Sequence, residues 1–420
     1  MTRLALVGAL AALAVGGWAA PAKAAPWCGA VAPADRPQAV AGPFVHVVYA
    51  IPADGEDRSA AFAPQIADDT AQIEAWWLTQ DSTRTPRFDV TPFSCGLQAD
   101  VTAIRLPLGG AQLAPVASRY QQVALGVSGV GIGSSFGKYL VYYDGPVEEP
   151  DICGQAGGRQ DSGPDYAVIY VTACARIPTV DVAAHEFLHS LSALPAGAPH
   201  ACGFSPGHPC DSTVDILYPY TSGQPLSELI LDVGRDDYYG HAGAWFDVQD
   251  SSWLKHVGDQ AVLSTAITGP GSVETFQPGP ACAATCAVEW DRGSVVQLGA
   301  IPGPGQRLVR WGGACAGSGS CSVTLDAPVS VTALFAQARF RLSLSVGGKG
   351  IVRSAPAGLT CRVRCSAAFT SFQAVRLHAA ANKGWRFKRW SGACATTKLT
   401  CSVPMTKAAS VRASFVRRAA

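Results

Sequence analysis

The run His185-Glu186-Phe187-Leu188-His189 sets two imidazoles four residues apart with a carboxylate between them. On a helix, positions i and i+4 share one face a turn apart, so both rings can serve a single metal ion. Such a site suits zinc. Two histidines and a third protein ligand leave one coordination position for water, whose pKa the ion lowers towards neutrality, and the neighbouring carboxylate can take up the proton. The chemistry expected is hydrolysis, with His185 and His189 holding Zn2+ and Glu186 as the general base. The competing explanation is a pair of histidines satisfied by the fold alone.

The helix that must carry these residues is legible around them. Val180, Ala184, Phe187, Leu188 and Leu191 are spaced for one buried face, Thr179 is suited to cap it, Asp181 is an acidic first-turn residue, and Pro195 stops it. Strands are expected at residues 45–51, 101–106, 139–143 and 166–172, with an amphipathic helix at 66–79. The fold class is therefore α+β: a domain at 25–262 with a mixed sheet and an active-site helix, followed by two small all-β domains at 263–337 and 338–420.

The second part of that division rests on an internal repeat. Cys282, Cys286, Trp311 and Cys315 recur as Cys361, Cys365, Trp390 and Cys394, each 79 residues on, and Cys321 recurs as Cys401 after one inserted residue. Each copy combines β-rich runs with a Trp-x-Gly-x-Cys segment, which reads as an all-β module. All 14 cysteines are expected in disulfides. The first two dozen residues run from Arg3 through an apolar stretch to Ala22-Lys23-Ala24, as a secretory signal peptide does, and disulfides persist outside the reducing cytosol. A cysteine zinc site at the close pairs is the alternative, and an oxidising compartment disfavours it. Within the modules, pairing of nearest neighbours is expected: Cys282 with Cys286, Cys315 with Cys321, Cys361 with Cys365 and Cys394 with Cys401. The expected location is secreted, without a membrane span in the mature chain, since no later segment supplies the ~20 apolar residues that a span needs.

Charge sets the last module apart. Residues 338–420 hold 16 Lys and Arg and no Asp or Glu, whereas residues 1–337 hold 16 basic and 31 acidic residues. The near-neutral total conceals a polarised chain, and the basic module is suited to an anionic cell-wall polymer. Nucleic acid is not expected as a partner, because no recognition motif accompanies the charge.

With these residues in view, the segment at about 44–255 resembles the zincin metallopeptidases, specifically a metzincin-like secreted actinobacterial group. The resemblance is carried by His46-Val47-Val48-Tyr49, Trp76-Trp77 with Thr85-Pro86-Arg87-Phe88-Asp89, the HEFLH run, Gly207-His208-Pro209-Cys210-Asp211 and Asp215-Ile216-Leu217-Tyr218. It implies a later histidine as third ligand and an apolar turn beneath the metal. This chain departs from the pattern with Ser192 where the group has glycine, Pro195 where it has its third histidine, and Leu217 where it has methionine. The third ligand must then come from further on, either His208 or His200. The resemblance favours His208, beside Cys210 and Asp211, and a Cys202 to Cys210 bridge would enclose it and leave His200 outside. Asp211 or Asp215 is a candidate to orient a ligand ring, and Tyr218 and Tyr220 are candidate oxyanion partners. The C-terminal repeats resemble the divergent internalin-type β-repeat, which implies a structural or adhesive role. The expected function is zinc-dependent hydrolysis of peptide bonds in a protein or peptide substrate. The alternatives are a cell-wall amidase or other zinc amide hydrolase, or an adhesin with a structural or decayed zinc site.

Overall fold

The structure, a computed structural model, describes residues 27–160, 162–194, 197–220 and 223–418. The expected signal segment and Pro195 lie outside the described residues. The first domain is built on a five-stranded sheet. The strand Phe44–Ile51 lies at its interior, flanked by the parallel strands Val101–Arg105 and Gly137–Tyr143. Asp165–Tyr170 continues the parallel set, and the short strand Gly154–Ala156 closes the edge antiparallel to it. Parallel strands need crossover connections, and helices that make them cover both faces of the sheet. Accordingly every residue of Phe44–Ile51 and Gly137–Tyr143 is buried.

Two cores follow from the pleat, because alternate residues point to opposite faces. Val45, Val47 and Tyr49 pack with Trp76, Trp77 and Phe187 under the helices Ser59–Gln80 and Thr179–Ser190. Phe44, Val48 and Ala50 pack on the other side with Val123 and Val127 of the helix Val116–Gly129. Thr179 is the first helical residue and Pro178 takes the cap position. The Thr179 hydroxyl instead donates to Asp69 at 2.7 Å, joining the two helices. The expected cap is absent because the helix begins at Thr179 itself, one position further in than a cap, with Pro178 before it. The helix expected at 66–79 begins earlier, at Ser59, with Pro64 inside it.

Beyond this domain the chain is all strand. Module one is a four-stranded sheet packed on a three-stranded one, and module two is a pair of four-stranded sheets. The strand that opens module one spans Gln260–Thr268, so the module starts just before the expected boundary at 262. In each copy the tryptophan is buried and its indole N–H spans the disulfide loop, from Trp311 to the Gly319 carbonyl at 2.8 Å and from Trp390 to that of Lys398 at 3.0 Å. The glycine of Trp-x-Gly-x-Cys has a backbone reason. Gly313 and Gly392 have φ of 76° and 94°, and a Cβ on either would stand 2.3 Å from a carbonyl oxygen of the adjacent strand.

The seven disulfides are Cys28–Cys95, Cys153–Cys174, Cys202–Cys210 and the four nearest-neighbour pairs expected in the modules, and no cysteine is free. Among the described residues no helix is long and apolar enough to cross a membrane. Module one docks on the first domain. Arg87 pairs with Asp291, the Gly42 N–H donates to the Pro278 carbonyl at 2.8 Å, and Phe136 meets Phe276 edge-on.

Candidate metal centre

The helix Thr179–Ser190 lies against the sheet with nearly all its residues buried, and His185, Glu186 and His189 emerge from it at one place. The His185 Nδ1 lies 2.7 Å from the Ile216 carbonyl oxygen. A carbonyl only accepts, so Nδ1 bears the proton and Nε2 presents a lone pair. The Ile216 carbonyl is held by a turn in which the Leu217 N–H donates to the Asp215 carboxylate at 2.8 Å and Leu217 is wholly buried. Asp215 also accepts from the Val233 N–H and the Tyr238 hydroxyl, so it orients His185 only through this turn. Burial pushes the Asp215 carboxyl up to about 7.

The third side chain at this place is His208. Its Nε2 lies 3.3 Å from that of His185 and 3.2 Å from that of His189, while the last two are 3.2 Å apart. Three ligands arranged tetrahedrally at the usual zinc–nitrogen distance stand roughly 3.3 to 3.4 Å from one another. The triangle fits that requirement. With Nε2 deprotonated in all three rings, as it is in His185, the lone pairs converge, and a cation at their common focus can satisfy all of them. Burial, then the neighbouring His208, pushes His185 down to about 4, and His189 and His208 are lowered as well, chiefly by burial. All three rings are therefore neutral near pH 7, the form a metal takes.

The loop that delivers His208 is a short hairpin. The Cys202 N–H donates to the His208 carbonyl at 2.7 Å, the Cys210 N–H donates to the His200 carbonyl at 2.9 Å, and the Cys202–Cys210 disulfide closes the stem. Gly207, with φ of 92°, makes the turn before the histidine, and Ser205 Oγ sits 3.1 Å from His208 Nδ1. His200 is not part of the triangle. Its Nδ1 faces Asp237 at 3.1 Å, with Asp236 close by. Asp211 is exposed and takes no part in the cluster.

Glu186 is 6% exposed, and burial alone pushes its carboxyl up to about 8. A cation held by the adjacent imidazoles would favour its ionised form. The edge strand Gly154–Ala156 presses on this side chain: a Cβ on Gly154 would lie 2.6 Å from Glu186 Cγ. Tyr218 and Tyr220 stand near one another at a ring separation of 6.2 Å, and the exposed Tyr220 stacks on Phe204 of the stapled loop. Two features escaped the sequence reading. Gly154 carried no recognisable signal, since its use depends on a close approach between distant segments. Gly133-Ser134-Ser135-Phe136-Gly137 has the Gly-x-Ser-x-Gly spacing, but it leads into a strand and no helix follows it, so it lacks the strand-to-helix context of a nucleophile elbow.

Comparison with known proteins bears on the C-terminal third. Residues 273–339 and 354–419 match the family model described as Divergent InlB B-repeat domain, as the repeat pattern implies. No curated protein matches the chain. Among solved structures, the Bacillus anthracis TIE protein aligns at 6% identity and a TM-score of 0.25, over 39% of this chain and 34% of that one. GBS52, the minor pilin of Streptococcus agalactiae, aligns at 7% identity and a TM-score of 0.15, over 38% of this chain and 98% of that one. This chain thus spans about a third of the TIE protein's length, and neither alignment supports an argument about function.

Proposed function

We propose that this protein is a secreted zinc-dependent metallopeptidase with a zincin-like catalytic domain in which His185, His189 and His208 hold the metal. The observation that carries the reading is the convergence of three neutral imidazole nitrogens at ligand spacing beside a buried carboxylate on the same helix. A bound zinc ion supplies Lewis acidity towards a water and the scissile carbonyl. The residues of the chain do the rest. Glu186 accepts the proton of the attacking water and returns it to the leaving amine. Its burial keeps bulk water away from the proton it holds, and a cation bound by the adjacent imidazoles would keep it ionised and ready to accept. The Ile216 carbonyl fixes the His185 tautomer, and the hairpin fixes the third ring.

Seven disulfides and the repeat modules support an extracellular location, and the unbalanced cations of residues 338–420 support retention on an anionic cell-wall polymer. The test is metal analysis with peptide digestion of the parent and of Glu186→Gln. The parent should bind one zinc and cleave, and the variant should bind zinc equally and turn over at least about a hundredfold more slowly. Equal turnover by both would refute the assignment of the base. Cleavage of purified cell wall but not of peptides would give the amidase in its place, and zinc without any hydrolysis would leave an adhesin with a structural site.

A further inference from the structure

Beside the triangle, a small cavity of about 20 Å³, room for about one water, is lined by Asp181, His185, Asp215, Ile216, Tyr218 and Leu229, among others. Asp181 stands one helical turn before His185, so it shares the face that carries the metal ligands. Asp181 is only 3% exposed, yet among the described residues neither of its carboxylate oxygens has a hydrogen-bond partner. Burial pushes the Asp181 carboxyl up to about 6; the Leu226 N–H opposes this but lies outside hydrogen-bond geometry. Asp215, the second carboxylate of the lining, is satisfied by two backbone N–H groups and the Tyr238 hydroxyl. Among the described residues no lysine or arginine lines the cavity. A buried carboxylate without a partner is costly, and a fold that retains one next to a reactive centre gains from it when a ligand supplies the missing cation.

We infer that this cavity receives a cationic substrate side chain, an unbranched primary ammonium such as that of lysine, with Asp181 as its counter-ion. The inference rests on the peptidase reading for the word substrate, and on geometry alone for the cation. The whole cavity has room for about one water, which leaves space for an ammonium tip carried on a thin unbranched chain and none for a branched or aromatic group. Tyr218 and Leu229 line the same cavity and can pack on the methylenes, while the tip replaces that water at Asp181. Lys-containing peptides would thus be positioned with a backbone carbonyl near His185.

Two measurements test this, one of which needs no turnover. Titration of the full chain with n-butylammonium and with neutral n-butanol, followed by nuclear magnetic resonance, should give about tenfold tighter binding of the ammonium by the parent, a preference abolished in Asp181→Asn. Equal binding of the two probes by the parent, meaning that only a water satisfies Asp181, would overturn the inference whether or not the variant folds. Digestion of a peptide library by the zinc-loaded parent should enrich lysine at one position flanking the cut. In Asp181→Asn the ratio of lysine to norleucine there should fall about tenfold. An unchanged ratio would overturn the inference. An Asp181-dependent ammonium preference in a protein that cleaves no peptide would refute the peptidase reading and keep the cation site.

Discussion

Removing the staple around His208 measures how much of the metal affinity is organised in advance. The variant is Cys202→Ser with Cys210→Ser, and the bridge it removes closes a loop with a sequence separation of 8. Loop-closure entropy for so short a ring is about 2.6 kcal/mol at 25 °C. If all of that ordering had to be supplied by metal binding, the zinc dissociation constant would rise roughly 80-fold. The stem hydrogen bonds between Cys202 and His208 and between His200 and Cys210 remain possible in the variant, so this is an upper bound. We expect a rise of about ten- to eightyfold, measured by competition with a chromogenic chelator under non-reducing conditions. His208→Ala should do worse, because it deletes a ligand, and His200→Ala should stay within about twofold of the parent, because its ring faces Asp237. Parent-like affinity in the double serine variant would show that the hairpin orders itself without the bridge. Parent-like affinity in His208→Ala would refute the triangle itself.

Three further outcomes are expected. Gly154→Ala places a methyl 2.6 Å from Glu186 Cγ, so the base must move while the histidines need not; zinc content should hold and kcat should fall about tenfold or more, as seen in a paired metal and rate assay. Burial pushes the Asp69 carboxyl up to about 6, above its unfolded value, so folding favours its protonated form. Its contribution is then fully present below about pH 4 and is lost as pH rises through about 6. Asp69→Asn should flatten that part of the stability profile by roughly 2 kcal/mol in denaturant titrations between pH 4 and 7, and a steeper profile in the variant would contradict the sign. A chain ending before residue 338 should remain a competent hydrolase but lose any salt-sensitive retention on anionic wall material, and unchanged retention would remove that role from the basic module.

The parts of this protein that were legible in its sequence share a property: each is encoded within a short window. HEFLH needs one helix, and the repeat needs only a register of cysteines and tryptophans. The strands at 45–51 and 139–143 declare themselves as apolar runs because they are covered on both faces. What was not legible depends on segments meeting across the fold. Thr179 looks like a cap, yet it is the first residue of the helix, and its hydroxyl donates to Asp69 of another helix. Asp181 looks like an ordinary acidic first-turn residue, and nothing local reveals that it is buried without a partner. Gly154 gains its meaning from Glu186, 32 positions away. The helix Val116–Gly129 was passed over because its polar residues break the apolar period and only part of one face is buried.

The order of the cysteines carries a consequence for how the molecule matures. Read from the amino end, the first pairs with the second, the third with the fourth, and so on to the fourteenth, with no bridge crossing another. A chain threaded into an oxidising compartment from that end therefore reaches its native connectivity whenever each thiol reacts with the last one still free. Only Cys28 must wait long, for Cys95; the bridges in the modules close within 4 to 7 positions. The route asks little of an isomerase, because chronology alone selects the correct partner among the many pairings that fourteen thiols allow.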